Sequence, residues 1–181
     1  MKFLNECWAL VPARSGSQTI KHKNIMMLNK KPLIYYSLDL AKKCKFFKKI
    51  IFSSDSTKYL KLASKFGNFY LHKRDYASST HTATDLDVFK SFIRDHLKDN
   101  YSLPKYFAHL RPTTPVRNIK TINKILRRSL QLAIITAPKP IFVSQLNIYH
   151  HGMNPPKITE AKPHFIACFL ISSSSAAIIS S

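Results

Sequence analysis

The feature that most restricts the fold of this chain is an alternation. Short runs of strand character follow one another along the sequence, separated by segments whose apolar residues recur at helical spacing. The runs at 7–13 (CWALVPA), 49–53, 68–71, 106–110 and 132–136 read as strands. Between the first two, Pro32 suits the first position of a helix whose apolar face is Leu33, Tyr36, Leu40 and Cys44. Asp55 or Ser56 can cap a second helix with a stripe of Tyr59, Leu62, Ala63 and Phe66, stopping near Gly67. Thr84 or Asp85 can cap a third, over 86–98, and Asn118 a fourth, carrying Ile119, Ile122 and Leu126 on one side. Strands alternating with helices predict a mostly parallel sheet covered on both faces, a three-layer α/β/α sandwich. Such sheets bind ligands at the carboxyl ends of their strands, which points to the loops after Pro12, Ser53, Leu71 and Leu110.

The chain of 181 residues holds 29 Lys and Arg against 9 Asp and Glu, a net charge of +20, and no acid lies between Asp99 and Glu160. Such a field attracts polyanions: nucleotides, nucleic acid or an anionic surface. The bases are spread along the chain, so solvated lysines on helix faces account for most of them. The densest run, KKCKFFKK at 42–49, reads as a helix end and the loop after it. No stretch is long and apolar enough to cross a bilayer; the nearest, 165–179, is split by Ser172–Ser175. The cysteines, Cys7, Cys44 and Cys168, show neither metal spacing nor a disulfide framework, and a cytoplasmic location is expected. After Thr136 the pattern decays into prolines and a low-complexity serine-rich end. The expected organisation is a nucleotide-binding unit over 1–137 and a divergent, partly irregular segment over 138–181.

The loop ALVPARSGSQTIKHKN, 9–24, combines small residues, a glycine, hydroxyls and the bases Arg14, Lys21 and Lys23 directly after a strand. Backbone N–H groups in such a loop can cradle phosphates, and an arginine adds two-pronged recognition. It is neither a P-loop nor a dinucleotide fingerprint.

Four blocks carry a resemblance. The loop resembles the PARSGSKGIKxKN signature of the acylneuraminate cytidylyltransferases. KPLIYYSLDLAKKCKFFKKIIFSSDS (31–56), KRDYASSTHTATDLDVF (73–89) and HLRPTTPVRN (109–118) resemble that family's further segments, in the same order. The resemblance runs from Cys7 to about Thr136. It implies a nucleotide-diphospho-sugar transferase-like fold, with CTP and a sugar acid as substrates. The implied reaction is transfer of CMP from CTP to a nine-carbon keto sugar acid such as N-acetylneuraminate, with release of pyrophosphate and assistance from Mg²⁺. It assigns Arg14 to the triphosphate, as catalytic residue, Ser17 to the phosphates, and Gln18 after it to the nucleotide. Asn24 goes to the nucleotide, Arg74 to the cytosine side, Ala83 and Asp85 to base or ribose, and Arg111, where the family has glutamine, to the sugar.

The departures are equally specific. The family lysine after Ser17 is Gln18 and the following glycine is Thr19, which removes a cation beside the leaving phosphates and adds a Cβ where positive φ costs more. Lys21 or Lys23 are candidates to substitute for the lysine. His81 replaces an aspartate. The family's late D-x-D pair for Mg²⁺ has no counterpart after Thr136, where Glu160 is the only acid, so no metal ligand is assigned. Asp85 and Asp87 form the one D-x-D, read as helix capping before metal binding. The chain is expected to be short at its C-terminal end, which would leave activity impaired and a homodimer dependent on an arm not found here. A non-catalytic nucleotide-binding relative and a basic nucleic-acid-binding protein remain as alternatives. His150 and His151 lack a third metal ligand.

Overall fold

The computed structural model describes residues 7–99, 102–104 and 106–136, with side chains as far as Arg128. In chain order the elements are β1 (Cys7–Pro12), β2 (Met27–Leu28), β3 (Lys31–Pro32), α1 (Leu33–Lys43), β4 (Phe47–Ser54), α2 (Thr57–Ser64), β5 (Tyr70–Lys73), α3 (Asp85–Leu97), β6 (Tyr106–His109) and α4 (Ile119–Thr136). β1 lies inside a parallel sheet of order β5-β4-β1-β6, with Leu10 paired to Ile51 on one side and to His109 on the other. β2 and β3 form a separate antiparallel hairpin within the long loop after β1.

Strand alternation divides the core. Ala9 and Val11 face one way, toward Ile34, Leu38 and Ala41 of α1, Tyr59 and Ala63 of α2, and Ile122 and Leu126 of α4. Trp8 and Leu10 face the other way, toward Val88, Phe89, Phe92 and Ile93 of α3. The order explains this division. The chain moves outward from β1 to β4 and β5 through α1 and α2, then returns past β1 to β6 through α3. Right-handed crossovers in opposite directions put their helices on opposite faces. The sheet is therefore mostly apolar on both faces, and the expected α/β/α sandwich is observed.

Several boundaries differ from expectation. Residues 132–136 are not a strand: α4 runs unbroken from Ile119 to Thr136. No Gly or Pro lies between Asn118 and Pro138, and Lys124 to Arg128 are good helix formers. With nothing to stop it, the helix carries through a β-branched run that alone suits a strand. β4 begins at Phe47, so the lysine run ends inside a strand rather than a loop. β5 sits two residues later than expected. Pro32 is the residue before α1 rather than its first, and α2 stops at Ser64, ahead of Gly67. Segment 138–181, with His150 and His151, lies outside the described residues.

Candidate active-site cleft

Three strand ends are stitched together where the sheet opens. At the end of β1, the Ala13 N–H donates to the Ser53 carbonyl at 2.9 Å, and Ser54 Oγ donates back to the Ala13 carbonyl at 2.7 Å. At the end of β5, the Arg74 N–H donates to the Ser54 carbonyl at 3.0 Å. Asp55, the first residue beyond β4, accepts from Ser15 N–H at 2.8 Å and from Ser15 Oγ at 2.7 Å. Asp55 therefore pins the loop after β1 and does not cap α2; Ser56 does, accepting from the Tyr59 N–H. Buried Asn24 closes the loop from the other end, its Nδ2 donating to the Arg14 carbonyl at 2.9 Å.

These ties hold a cleft of about 290 Å³ at the carboxyl ends of β1, β5 and β6, lined among others by Arg14, Ser17, Asn24, Arg74, Asp85 and Arg111. Ala83 and Lys23 also line it. Gln18 and Lys21 do not: both are exposed on the outer part of the loop. Of the two lysines considered as substitutes, Lys23 is the one at the cleft. The positive-φ residues of this loop region are His22, Asn29 and Lys30, so Thr19 bears no backbone strain from replacing glycine.

The two arginines at the cleft are held differently. Arg14 Nη1 donates to the Thr80 carbonyl at 2.8 Å, a tether across the opening. Arg74 is 6% exposed, and its Nη1 donates to the Ser78 carbonyl at 3.3 Å. Its Nε and Nη2 are buried with no hydrogen-bond partner among the described residues. Burial pulls its pKa down to about 10; nearby Asp55 opposes that shift and Arg14 adds to it. A surface pair between Arg74 and Asp75 does not form. Asp75 instead accepts from Ser78 Oγ, from Arg94 Nη2 at 2.6 Å and from the Ser78 N–H at 2.9 Å, contacts that hold its carboxyl well below the usual range. A buried guanidinium with two idle N–H faces, beside a second arginine, suits a polar anionic ligand.

Opposite them stands the N-terminus of α3. Thr84 caps it, with Asp87 completing a reciprocal capping box. Asp87 is thus a capping residue, and Asp85 is left to face the cleft. Arg111, just beyond β6, donates to Asp85 Oδ2 through Nη2. His109 Nδ1 lies 3.7 Å from the same oxygen. The loop after β6 is anchored behind: the Arg111 carbonyl accepts from Ser37 Oγ at 3.2 Å and from Arg117 Nη2. The carbonyls of Ser78 and Thr80 went unnoticed in the sequence, although Asp75 three residues before Ser78 is a turn pattern that could have placed that loop.

The magnesium implied by the resemblance finds no ligand set here. Among the described residues no three metal-ligating side chains cluster, and the one carboxylate lining the cleft, Asp85, is already paired with Arg111. The described residues alone do not fit that ion. Nor is any described helix long and apolar enough to cross a membrane.

Comparison with known proteins agrees with this fold. A family profile, Cytidylyltransferase, matches residues 8–133. The N-acylneuraminate cytidylyltransferase of Escherichia coli O18:K1:H7 is 36% identical over 110 residues, 61% of this chain and 25% of that protein. The CMP-N,N'-diacetyllegionaminic acid synthase of Legionella pneumophila is 30% identical over 146 residues, 77% of this chain and 58% of that protein. The chain thus spans between a quarter and three fifths of these relatives' lengths. Among solved structures, a CMP:2-keto-3-deoxy-manno-octonic acid synthetase in complex with CTP has the same fold. Its TM-score is 0.59 at 14% identity, over 70% of this chain and 48% of that one. With the profile match running from β1 into α4, across every strand that bounds the cleft, this chain belongs to the cytidylyltransferase family.

Proposed function

We propose that this protein transfers CMP from CTP to a nine-carbon keto sugar acid such as N-acetylneuraminate, releasing pyrophosphate. The observation that carries the reading is the convergence of Arg14 and Arg74 in one cleft at the strand ends, with two nitrogens of Arg74 buried and unpartnered. The relatives named above support the choice of nucleotide and of acceptor class.

In this reading the acceptor's anomeric oxygen forms a bond to the α-phosphorus of CTP. The bond from that phosphorus to the bridging oxygen breaks, pyrophosphate leaves, and the hydroxyl proton is released. Negative charge grows on the phosphate oxygens as this happens, and fixed cations there lower the barrier. Arg14 is the catalytic residue in this sense, with Ser17 and Lys23 beside it. Asn24 holds the Arg14 backbone in place while lining the nucleotide side. Arg74 takes the cytosine side, where its idle N–H groups would meet base acceptors. Ala83 and Asp85 border the base and ribose, and Arg111 meets the acceptor acid. Gln18, outside the cleft, receives no role. A cytoplasmic location goes with this reading, and the few, scattered cysteines of the sequence are in keeping with it.

Incubating the full chain with CTP, Mg²⁺ and N-acetylneuraminate tests the proposal. Pyrophosphate release with a matching CMP-sugar mass is expected, and Arg14→Ala should slow it about a hundredfold or more. Failure to release pyrophosphate with any nine-carbon keto sugar acid would overturn it.

A further inference from the structure

Resting on the reading above, we infer that Arg111 and Asp85 form a latch across the cleft that the carboxylate of the acceptor acid opens. The pair joins the loop after β6 to the first turn of α3, two elements that wall the same cleft. Neither side chain is needed where it stands. The N-terminus of α3 is already satisfied by Thr84 and Asp87, so Asp85 does not serve as a cap. The backbone of Arg111 is held from behind, its carbonyl accepting from Ser37 and Arg117, so its side chain can turn without moving the loop. The pair is also solvated enough to exchange partners: the Arg111 side chain is 53% exposed and that of Asp85 25%. Ion pairs at such exposure are weak, and a carboxylate ligand competes for the guanidinium on equal terms.

Two consequences follow for binding. While the latch is closed, Asp85 Oδ2 is engaged, and the guanidinium charge beside it weakens the carboxylate as an acceptor for the ribose hydroxyls of a nucleotide. Once an acid takes Arg111, Asp85 is released toward the nucleotide. The acceptor acid therefore raises affinity for CTP, and by reciprocity CTP raises affinity for the acid to the same degree. The recognised group is a carboxylate adjoining sugar hydroxyls; a neutral sugar would not open the latch.

Calorimetric titration of CTP into the full chain, with and without saturating N-acetylneuraminate, reads this directly. The acid should tighten CTP binding about two- to fivefold, the scale of one half-exposed ion pair. In Arg111→Gln, CTP binding without the acid should already be tighter by that factor, and the acid should add nothing. Asp85→Asn serves as a second variant: it breaks the latch but loses the carboxylate, so CTP binding should weaken and ignore the acid. The melting temperature of each variant should stay within a few degrees of the parent. Unchanged or weaker CTP binding in Arg111→Gln would overturn the latch while leaving the proposed function standing. No CTP binding by the parent chain would overturn both.

Discussion

Arg74 is the residue whose environment says most about what the cleft is for. A buried guanidinium with two unpartnered nitrogens is costly to fold, because those groups lose water and gain nothing in the empty protein. In the proposed function a ligand supplies the missing acceptors. Arg74→Met should therefore stabilise the ligand-free protein, by roughly 1 kcal/mol in a denaturant midpoint series, while abolishing its contribution to nucleotide binding. A loss of stability in that variant would mean the guanidinium serves the fold. The burial was not visible in the string KRDY, which offers a surface pair of Arg74 with Asp75 beside the ligand role that the resemblance implies. The pairing failed because β5 ends at Lys73: Arg74 turns in under the strand ends while Asp75 turns out to Arg94. Arg14, by contrast, was legible, since a base in a glycine-containing loop after a buried strand has few structural uses.

Among the elements, α3 matters most, since it is the described helix packed on the Trp8 and Leu10 face of the sheet and it brings Asp85 to the cleft. Its start was readable to within one residue, with Thr84 or Asp85 as the cap, and the structure selects Thr84. The reciprocal bonds follow: Asp87 N–H to Thr84 Oγ1 at 3.3 Å and Thr84 N–H to Asp87 Oδ2 at 2.7 Å. Thr84→Ala should cost about 1 kcal/mol, read as a lowered melting temperature, and should loosen the first turn that carries Asp85. The strands were legible for a different reason. Their apolar runs match a sheet buried on both faces, which needs no alternation of polar residues. The end of α4 was misread for the same reason: an apolar β-branched run without a breaker looks alike in either state. The hairpin of β2 and β3 went unseen because two-residue strands carry no periodicity at all.

At the scale of the whole molecule, the α3 face of the sheet holds His72, His96 and His109 among aromatic rings. Burial, with Arg117 and Arg74 adding to it, pulls His109 down to about 3, and burial lowers His72 and His96 as well. A histidine depressed in the folded state binds fewer protons there than in the unfolded chain. Its contribution to stability is therefore full above its ordinary value of 6.5 and is lost as pH falls below it toward 3. Between pH 7 and 5.5, His109 alone should remove about 1 kcal/mol. Denaturant midpoints across that range should fall, and His109→Leu should flatten the slope; a midpoint flat from pH 7 to 5.5 would show that these groups titrate without penalty. The charge of +20 has a more general meaning. Such a charge draws nucleotides and nucleic acids alike, so in the proposed function discrimination between them falls to the cleft.

That discrimination is the central claim, and calorimetric titration of nucleotides into the full chain tests it most directly. One site for CTP is expected, at least tenfold weaker in Arg74→Met and weaker again for ATP than for CTP. Equal affinity for both nucleotides, or a CTP affinity indifferent to Arg74, would contradict it.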